Sequence, residues 1–185
     1  MNRIFSAEMS IWEEAVRLTG DRRQRKSQEG KSTLSDSSNT VRLHRVLKAP
    51  AERIYNAFLD PDALCRWLPP YGFLGKIDHI DPQEGGSYHM SFINFATGHT
   101  HSFESKFVEL TPNERIRLAD KFDDPGLEAD MTKTITLTTV SCGTEIEILH
   151  EGLPAAIPTE MCYLGWQESL VQLASLVETY TADAA

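Results

Sequence analysis

Three of the six histidines in this 185-residue chain sit where acid–base or metal chemistry could be placed: His99, His101 and His150. His101 alternates with Phe103, Ser105 and Phe107, and His150 with Ile146 and Ile148, so strand alternation turns both imidazoles toward an apolar face. His99 falls at a turn and is expected in water. Tyr88, which alternates with Met90 and Phe92, is the third internal titratable group. Glu104 and Glu151 are expected to face solvent, and Glu145 and Glu147 to form the solvated face of an outer strand. A zinc site wants three or four ligands, each held by a partner of its own, and no third inward ligand is evident. General acid–base catalysis needs a titratable group within reach of the reacting atom, which leaves His101, His150 and Tyr88. There is no nucleophile elbow, phosphate-binding glycine loop or HExxH pattern. The expectation is no metal, no cofactor and no assigned catalytic residue, with enzymatic activity left open. His101 and His150 are then either hydrogen-bonded polar spots inside an apolar pocket or ordinary structural histidines.

A second set of residues offers binding rather than catalysis. Trp67, Tyr88, Phe92, Phe103 and Trp166 all fall on interior faces by alternation or helical spacing. Around a void they would supply flat apolar walls and two indole N–H donors for an aromatic or lipid-like ligand; without a void they simply fill the core. The candidate ligand-binding set is therefore Trp67, Tyr88, Phe92, His101, Phe103, His150 and Trp166.

The elements that must position these residues are readable from period and punctuation. Val41, Leu43 and Leu47 alternate as a strand. Pro50 opens a helix as its first residue, with Glu52 in the first turn and Ala51, Ile54, Ala57 and Phe58 on one face. Asp60 caps a second helix carrying Leu64, Trp67 and Leu68, which Pro69-Pro70 stops. Six strand segments follow without a helix: Phe73–Ile80, the run around Tyr88–Phe92, the run His101–Phe107, Arg115–Phe122, Met131–Val140 and Thr144–His150, the last two joined by a Ser141-Cys142-Gly143 hairpin turn. Such a meander is antiparallel, because parallel neighbours need long crossovers. A last helix, Thr159 to Thr179, carries Cys162, Tyr163, Trp166, Leu170, Leu173, Ala174 and Val177 as an apolar stripe, which Leu164 and Val171 widen so that most of one side is expected to be buried. At about 30 Å, a twenty-residue helix spans a whole curved sheet. The order of elements implies an α+β fold, β-α-α-β6-α, in which a strongly bent antiparallel sheet wraps the C-terminal helix with a cavity between them.

Composition limits the partners. The net charge is −9, and the body from residue 41 onward holds 11 cations against 21 anions, which excludes the clustered cations that nucleic acids and anionic membranes require. No stretch approaches the roughly 18 apolar residues of a spanning helix or the core of a secretory signal, so a cytoplasmic location is expected. Cys65, Cys142 and Cys162 are too far apart for a zinc knuckle and odd in number, and are expected to be reduced, packed thiols. Residues 1–40 form a near-neutral leader. It has the spacing for one short amphipathic helix (Ile4, Phe5, Ile11, Trp12, Val16, Leu18), then a basic run at Arg22–Lys26 and a Ser/Gly/Lys tract that cannot bury enough surface to order itself. The leader is either a disordered segment or over-long gene start, or a docking helix on a tether.

Residues 41–180 resemble the helix-grip (START-like) superfamily, in its branch of heat-shock-protein-90 ATPase activator homologues; residues 181–185 are a tail. The resemblance is carried by Ala49-Pro50-Ala51-Glu52-Arg53-Ile54-Tyr55-Asn56-Ala57-Phe58, by Asp60-Pro61-Asp62-Ala63-Leu64-Cys65-Arg66-Trp67-Leu68-Pro69-Pro70, and by Gly85-Gly86. It continues in Pro112-Asn113-Glu114-Arg115-Ile116, His150-Glu151-Gly152-Leu153, and Gly165-Trp166 with Leu170 and Leu173. It implies a helix-grip fold and three possible roles: a carrier of a small hydrophobic molecule, a chaperone-binding module linked to the stress response, or a polyketide cyclase-like enzyme. The fold does not choose among them. The leader is too short and too polar to be the separate N-terminal domain with which the co-chaperone touches its chaperone.

Overall fold

A computed structural model describes residues 39–178. The expected leader helix, the polar tract before Asn39, Thr179 at the expected end of the final helix and the tail lie outside the described residues; the helix itself ends at Val177 with Glu178 as its cap. The chain runs β1 (Val41–Leu47), α1 (Ala51–Ala57), α2 (Pro61–Trp67), β2 (Phe73–Ile80), β3 (Ser87–Asn94), β4 (Thr100–Thr111) and β5 (Arg115–Phe122). After a one-turn 3-10 helix (Pro125–Leu127) come β6 (Met131–Val140), β7 (Gly143–Glu151) and α3 (Thr159–Val177). The expected α+β order therefore holds element by element.

All seven strands join one antiparallel sheet in the order β1-β7-β6-β5-β4-β3-β2. The α1–α2 excursion carries the chain from one edge of the sheet to the other, after which the meander returns strand by strand. β7 was expected at the outside, but β1 pairs along its free side from Val41↔His150 to Leu47↔Thr144, so β7 is internal. Glu147 still faces solvent, whereas Glu145 is half-buried and accepts from His44 Nε2 at 2.6 Å. Bulges at Ile77/His79 and Phe107/Glu109 sharpen the local twist and help to curl the sheet around α3.

Local signals explain the two short helices, with one adjustment. Pro50 is not the first helical residue but the cap, extended at φ −67 and ψ 148 with no side-chain cap bond. Asp60 caps α2 by accepting from the Ala63 N–H at 2.8 Å. The strand β2 runs close beneath α2 because Gly75 has no Cβ; one placed there would stand 2.6 Å from the Cys65 carbonyl oxygen.

The helix α3 lies in the concave face, burying Cys162, Gly165, Trp166, Ser169, Leu170, Leu173, Ala174 and Val177. Its apolar stripe is narrower than expected. Tyr163, Leu164 and Val171 are 40%, 47% and 44% exposed, because one sheet covers one side of a helix and residues stepped about 100° off that side meet water. Cys142, in the β6–β7 turn, is likewise exposed rather than packed, since a two-residue hairpin turn has no neighbours above it. Side chains pin α3 to the segment after α2: the Ser169 hydroxyl donates to the Leu68 carbonyl (2.7 Å), Gln172 Nε2 to the Pro69 carbonyl (2.5 Å), and the Tyr71 N–H to Glu168 (3.0 Å).

Candidate functional site

The sheet and α3 do not close on each other throughout. Between them lies a cavity in which a water centre has about 80 Å³ of free space, several times the ~10–15 Å³ that one buried water needs. Phe73 (β2), Phe92 (β3), Phe103 (β4) and Phe122 (β5) line one side; Cys162, Gly165, Trp166 and Ser169 of α3 line the other, with Leu68 and Pro70 alongside. Phe92 meets Phe103 edge-on at 5.2 Å, and Phe103 meets Phe122 edge-on at 6.3 Å, the arrangement that aromatic quadrupoles favour.

Gly165 is an instructive wall residue. Glycine inside a helix costs roughly 1 kcal/mol relative to alanine. Here no neighbour demands it, since a Cβ at Gly165 would meet nothing within 4 Å although the residue is buried. The glycine leaves open space on the cavity wall.

The apolar cavity has a charged floor. The Lys133 ammonium donates to Asp120 at 2.8 Å, with the two side chains only 6% and 4% exposed. Ser105 Oγ donates to the other carboxylate oxygen at 2.6 Å. Tyr88 is in hydrogen-bond contact with both Ser105 and Lys133, so four polar side chains form a closed ring. Strand register builds this ring: Tyr88 faces Ser105, Ser105 faces Asp120, and Lys133 stands two residues along from Asp120's partner Met131. Burial works against the charged form of Lys133, but Asp120 and Tyr88 outweigh it and hold the ammonium protonated. Burial, assisted by Asp120, pushes the Tyr88 hydroxyl up, so it stays neutral. Lys133 also stands 5.5 Å from the centre of the Phe103 ring, a cation–π distance.

His150 faces Lys133 across the β6–β7 ladder. Burial, reinforced by the Lys133 charge, lowers its pKa to about 4, so the ring is neutral at pH 7. Its Nδ1 accepts from the Trp166 indole N–H at 3.1 Å, with Cys162 Sγ at 3.6 Å. An indole nitrogen can only donate, so Nδ1 is bare and the single proton of the neutral ring is on Nε2. That Nε2 is buried and has no hydrogen-bond partner among the described residues. Burial pushes the Cys162 thiol up to about 12, which makes it an unreactive wall.

Of the seven residues expected to line a site, the structure brings together Phe92, His101, Phe103, His150 and Trp166. Trp67 and Tyr88 are interior but off the cavity. The Trp67 indole donates to the Ala57 carbonyl at 2.8 Å and packs edge-on against Phe58, fastening α2 to α1. Tyr88 is taken up by the polar ring, between Phe103 and Phe107. His99 is exposed. Among the described residues no three His, Cys, Asp or Glu side chains are grouped as a metal ion would need. Sequence reasoning missed Asp120 and Lys133. Each shares its parity with apolar residues, Asp120 with Ile116, Leu118 and Phe122, and Lys133 with Met131, Ile135 and Leu137. One carboxylate and one ammonium on the apolar faces of successive strands is the signal that could have found them.

Residues 48–178 match the family described as Activator of Hsp90 ATPase homolog 1-like protein. Among solved structures, an X-ray structure of a protein from Chromobacterium violaceum is 58% identical over 77% of this chain and 99% of that one, with a TM-score of 0.76. A protein from Rhodobacter sphaeroides is similar in fold at 19% identity, covering 76% and 92% of the two chains with a TM-score of 0.66. One from Aeromonas hydrophila, described as AHSA1-like, is similar at 16% identity, covering 75% and 92% with a TM-score of 0.63. Comparison with curated proteins gives no match.

Two outcomes follow from the charged floor. Lys133→Met leaves a buried carboxylate without its counter-charge and should cost about 3–5 kcal/mol in urea unfolding, whereas the double variant Asp120→Leu/Lys133→Met should recover most of that loss. A double variant as unstable as the single one would show that the pair does not act as a unit. The second outcome concerns pH. An unfolded histidine titrates near 6.5 and His150 at about 4, so its contribution is fully present above pH 6.5 and is lost as the pH falls toward 4. The amount is on the order of 3 kcal/mol. His150→Gln, which can still accept from Trp166, should flatten the urea midpoint between pH 7.5 and 4.5; an unchanged slope would remove His150 from the acid response.

Proposed function

The chain belongs to the family of Activator of Hsp90 ATPase homolog 1-like proteins, and from that premise we propose that it binds a small hydrophobic molecule, aromatic or lipid-like, between its curled sheet and α3. The observation that carries this reading is the aromatic cavity with Gly165 on its wall. A chain selected only for stability would have alanine or a larger residue there. Ligand sites are commonly concave, largely apolar and equipped with a few polar groups, and the lining has that composition. Phe92, Phe103 and Trp166 supply the flat surfaces, and His101 and His150 the polar spots. The cyclase-like reading fares less well, because a histidine with a pKa of about 4 is a feeble base at neutral pH. The ligand role fits a cytoplasmic protein; among the described residues no helix is long and apolar enough to cross a membrane.

A chaperone-directed role is the second reading, favoured by the family's description and by Leu164 and Val171, which lie exposed two turns apart on the outer face of α3. The two readings use opposite sides of one helix.

Gly165→Leu tests the first. It should fill the cavity and abolish the thermal shift that members of a lipophilic panel give with the native chain, while Gly165→Ala raises stability by about 0.5–1 kcal/mol. No bound species in native mass spectra and no stabilisation by any compound would count against a ligand role. For the second, Leu164→Asp/Val171→Asp should remove any effect of the full chain on ATP hydrolysis by purified Hsp90, and Gly165→Leu should leave that effect intact. No effect by the native chain would end the chaperone reading.

A further inference from the structure

The polar groups of the cavity specify more than hydrophobicity. His150 is nine-tenths buried and lines the cavity. One ring nitrogen is committed, with Nδ1 taking the Trp166 N–H at 3.1 Å. The other carries the proton and finds no partner among the described residues. A buried N–H left unsatisfied carries its full desolvation penalty, so an occupant whose acceptor reaches it gains by accepting from it.

The charge of the occupant follows from the same floor. Lys133 is neutralised at 2.8 Å by Asp120, whose other oxygen takes the Ser105 proton. With His150 and Tyr88 neutral, the cluster carries no net charge. A carboxylate entering it would find no counter-ion to offset its desolvation, and an ammonium would meet the Lys133 cation and a donor hydrogen. The aromatic walls suit a planar body.

Resting on the reading that this cavity holds a small hydrophobic molecule, we propose that the occupant is a neutral aryl compound bearing a carbonyl-type acceptor, whose oxygen takes the Nε2 proton of His150. Trp166 is then a positioning residue: its N–H fixes the tautomer that presents the donor.

The full chain at pH 7.5 is titrated with three probes of one ring and similar size: acetophenone, ethylbenzene and benzoate. Acetophenone should bind about tenfold tighter than ethylbenzene, the worth of one hydrogen bond to an otherwise unsatisfied donor, and benzoate more weakly than acetophenone. In His150→Phe the ratio of acetophenone to ethylbenzene affinity should fall close to one. Should that variant not fold, imidazole nitrogen NMR of the native chain decides: His150 should be protonated on Nε2, and acetophenone but not ethylbenzene should move that resonance. Equal affinity for acetophenone and ethylbenzene would overturn the acceptor requirement while leaving the hydrophobic cavity reading in place. Tighter binding of benzoate, or a proton on Nδ1, would overturn the proposal by itself. Failure of all three probes, together with a silent lipophilic panel, would take down the cavity reading and this proposal with it.

Discussion

An ammonium and a carboxylate 2.8 Å apart, both almost wholly out of water, set a constraint that the middle of the sheet has to meet. Burying either charge alone is costly, and breaking such a pair is worth several kcal/mol even where replacing it outright would cost little. β5 and β6 must therefore align so that Asp120 and Lys133 meet, and β4 must present Ser105 to the carboxylate's second oxygen. β3 must bring Tyr88 to close the ring. A register slip of one residue would turn Asp120 or Lys133 to the convex face and orphan its partner. The pair contributes definition of register across four strands, whatever its net effect on stability.

The same constraint shapes the chemistry above it. Lys133 lies across the ladder from His150 and adds to the burial that keeps the imidazole neutral. Neutrality lets Nδ1 serve as the acceptor for the Trp166 indole, which ties α3 to β7 at the cavity. The helix is held at its flanks by Ser169 and Gln172 against the Leu68–Pro69 carbonyls, and near its C-terminus by Arg53, which donates to the Val177 carbonyl at 3.0 Å. With α3 supported at both places, the space over Gly165 can stay open without the helix collapsing into it.

Much of this was legible in the sequence because it depends on local pattern. Period-2 alternation placed six consecutive strands, proline and glycine punctuated them, and Asp60 marked the start of α2. The faces of His101, Phe103, His150 and Trp166 followed from parity and helical spacing. Alternation does not tell which residue of the next strand stands opposite, and the loop between Phe122 and Met131 leaves the register of β5 on β6 unspecified. The Asp120–Lys133 contact therefore could not be read, although both residues sit on apolar parities. Nor does parity give depth: Tyr88 and Phe92 share a face of β3, yet one is absorbed by the ring and the other lines the cavity. On α3, Tyr163, Leu164 and Val171 are apolar but exposed, since apolar character alone does not bury a residue when only one side of the helix is covered.

On the proposed ligand-binding reading, the exterior and the interior favour the same kind of occupant for different reasons. The body from residue 41 onward carries 21 anions against 11 cations, so an anionic molecule is repelled on approach at low ionic strength and a cation is attracted. Salt screens that selection over about 10 Å, leaving the interior to decide. Inside, the compensated Lys133–Asp120 pair offers no spare charge of either sign, which removes the advantage the surface gives to cations. A neutral molecule is the class that neither filter opposes. Among neutral molecules, the donor on His150 would, on that reading, distinguish those with an acceptor from pure hydrocarbons. Specificity would then reside in one proton held on one side of an imidazole by a tryptophan on the opposite element.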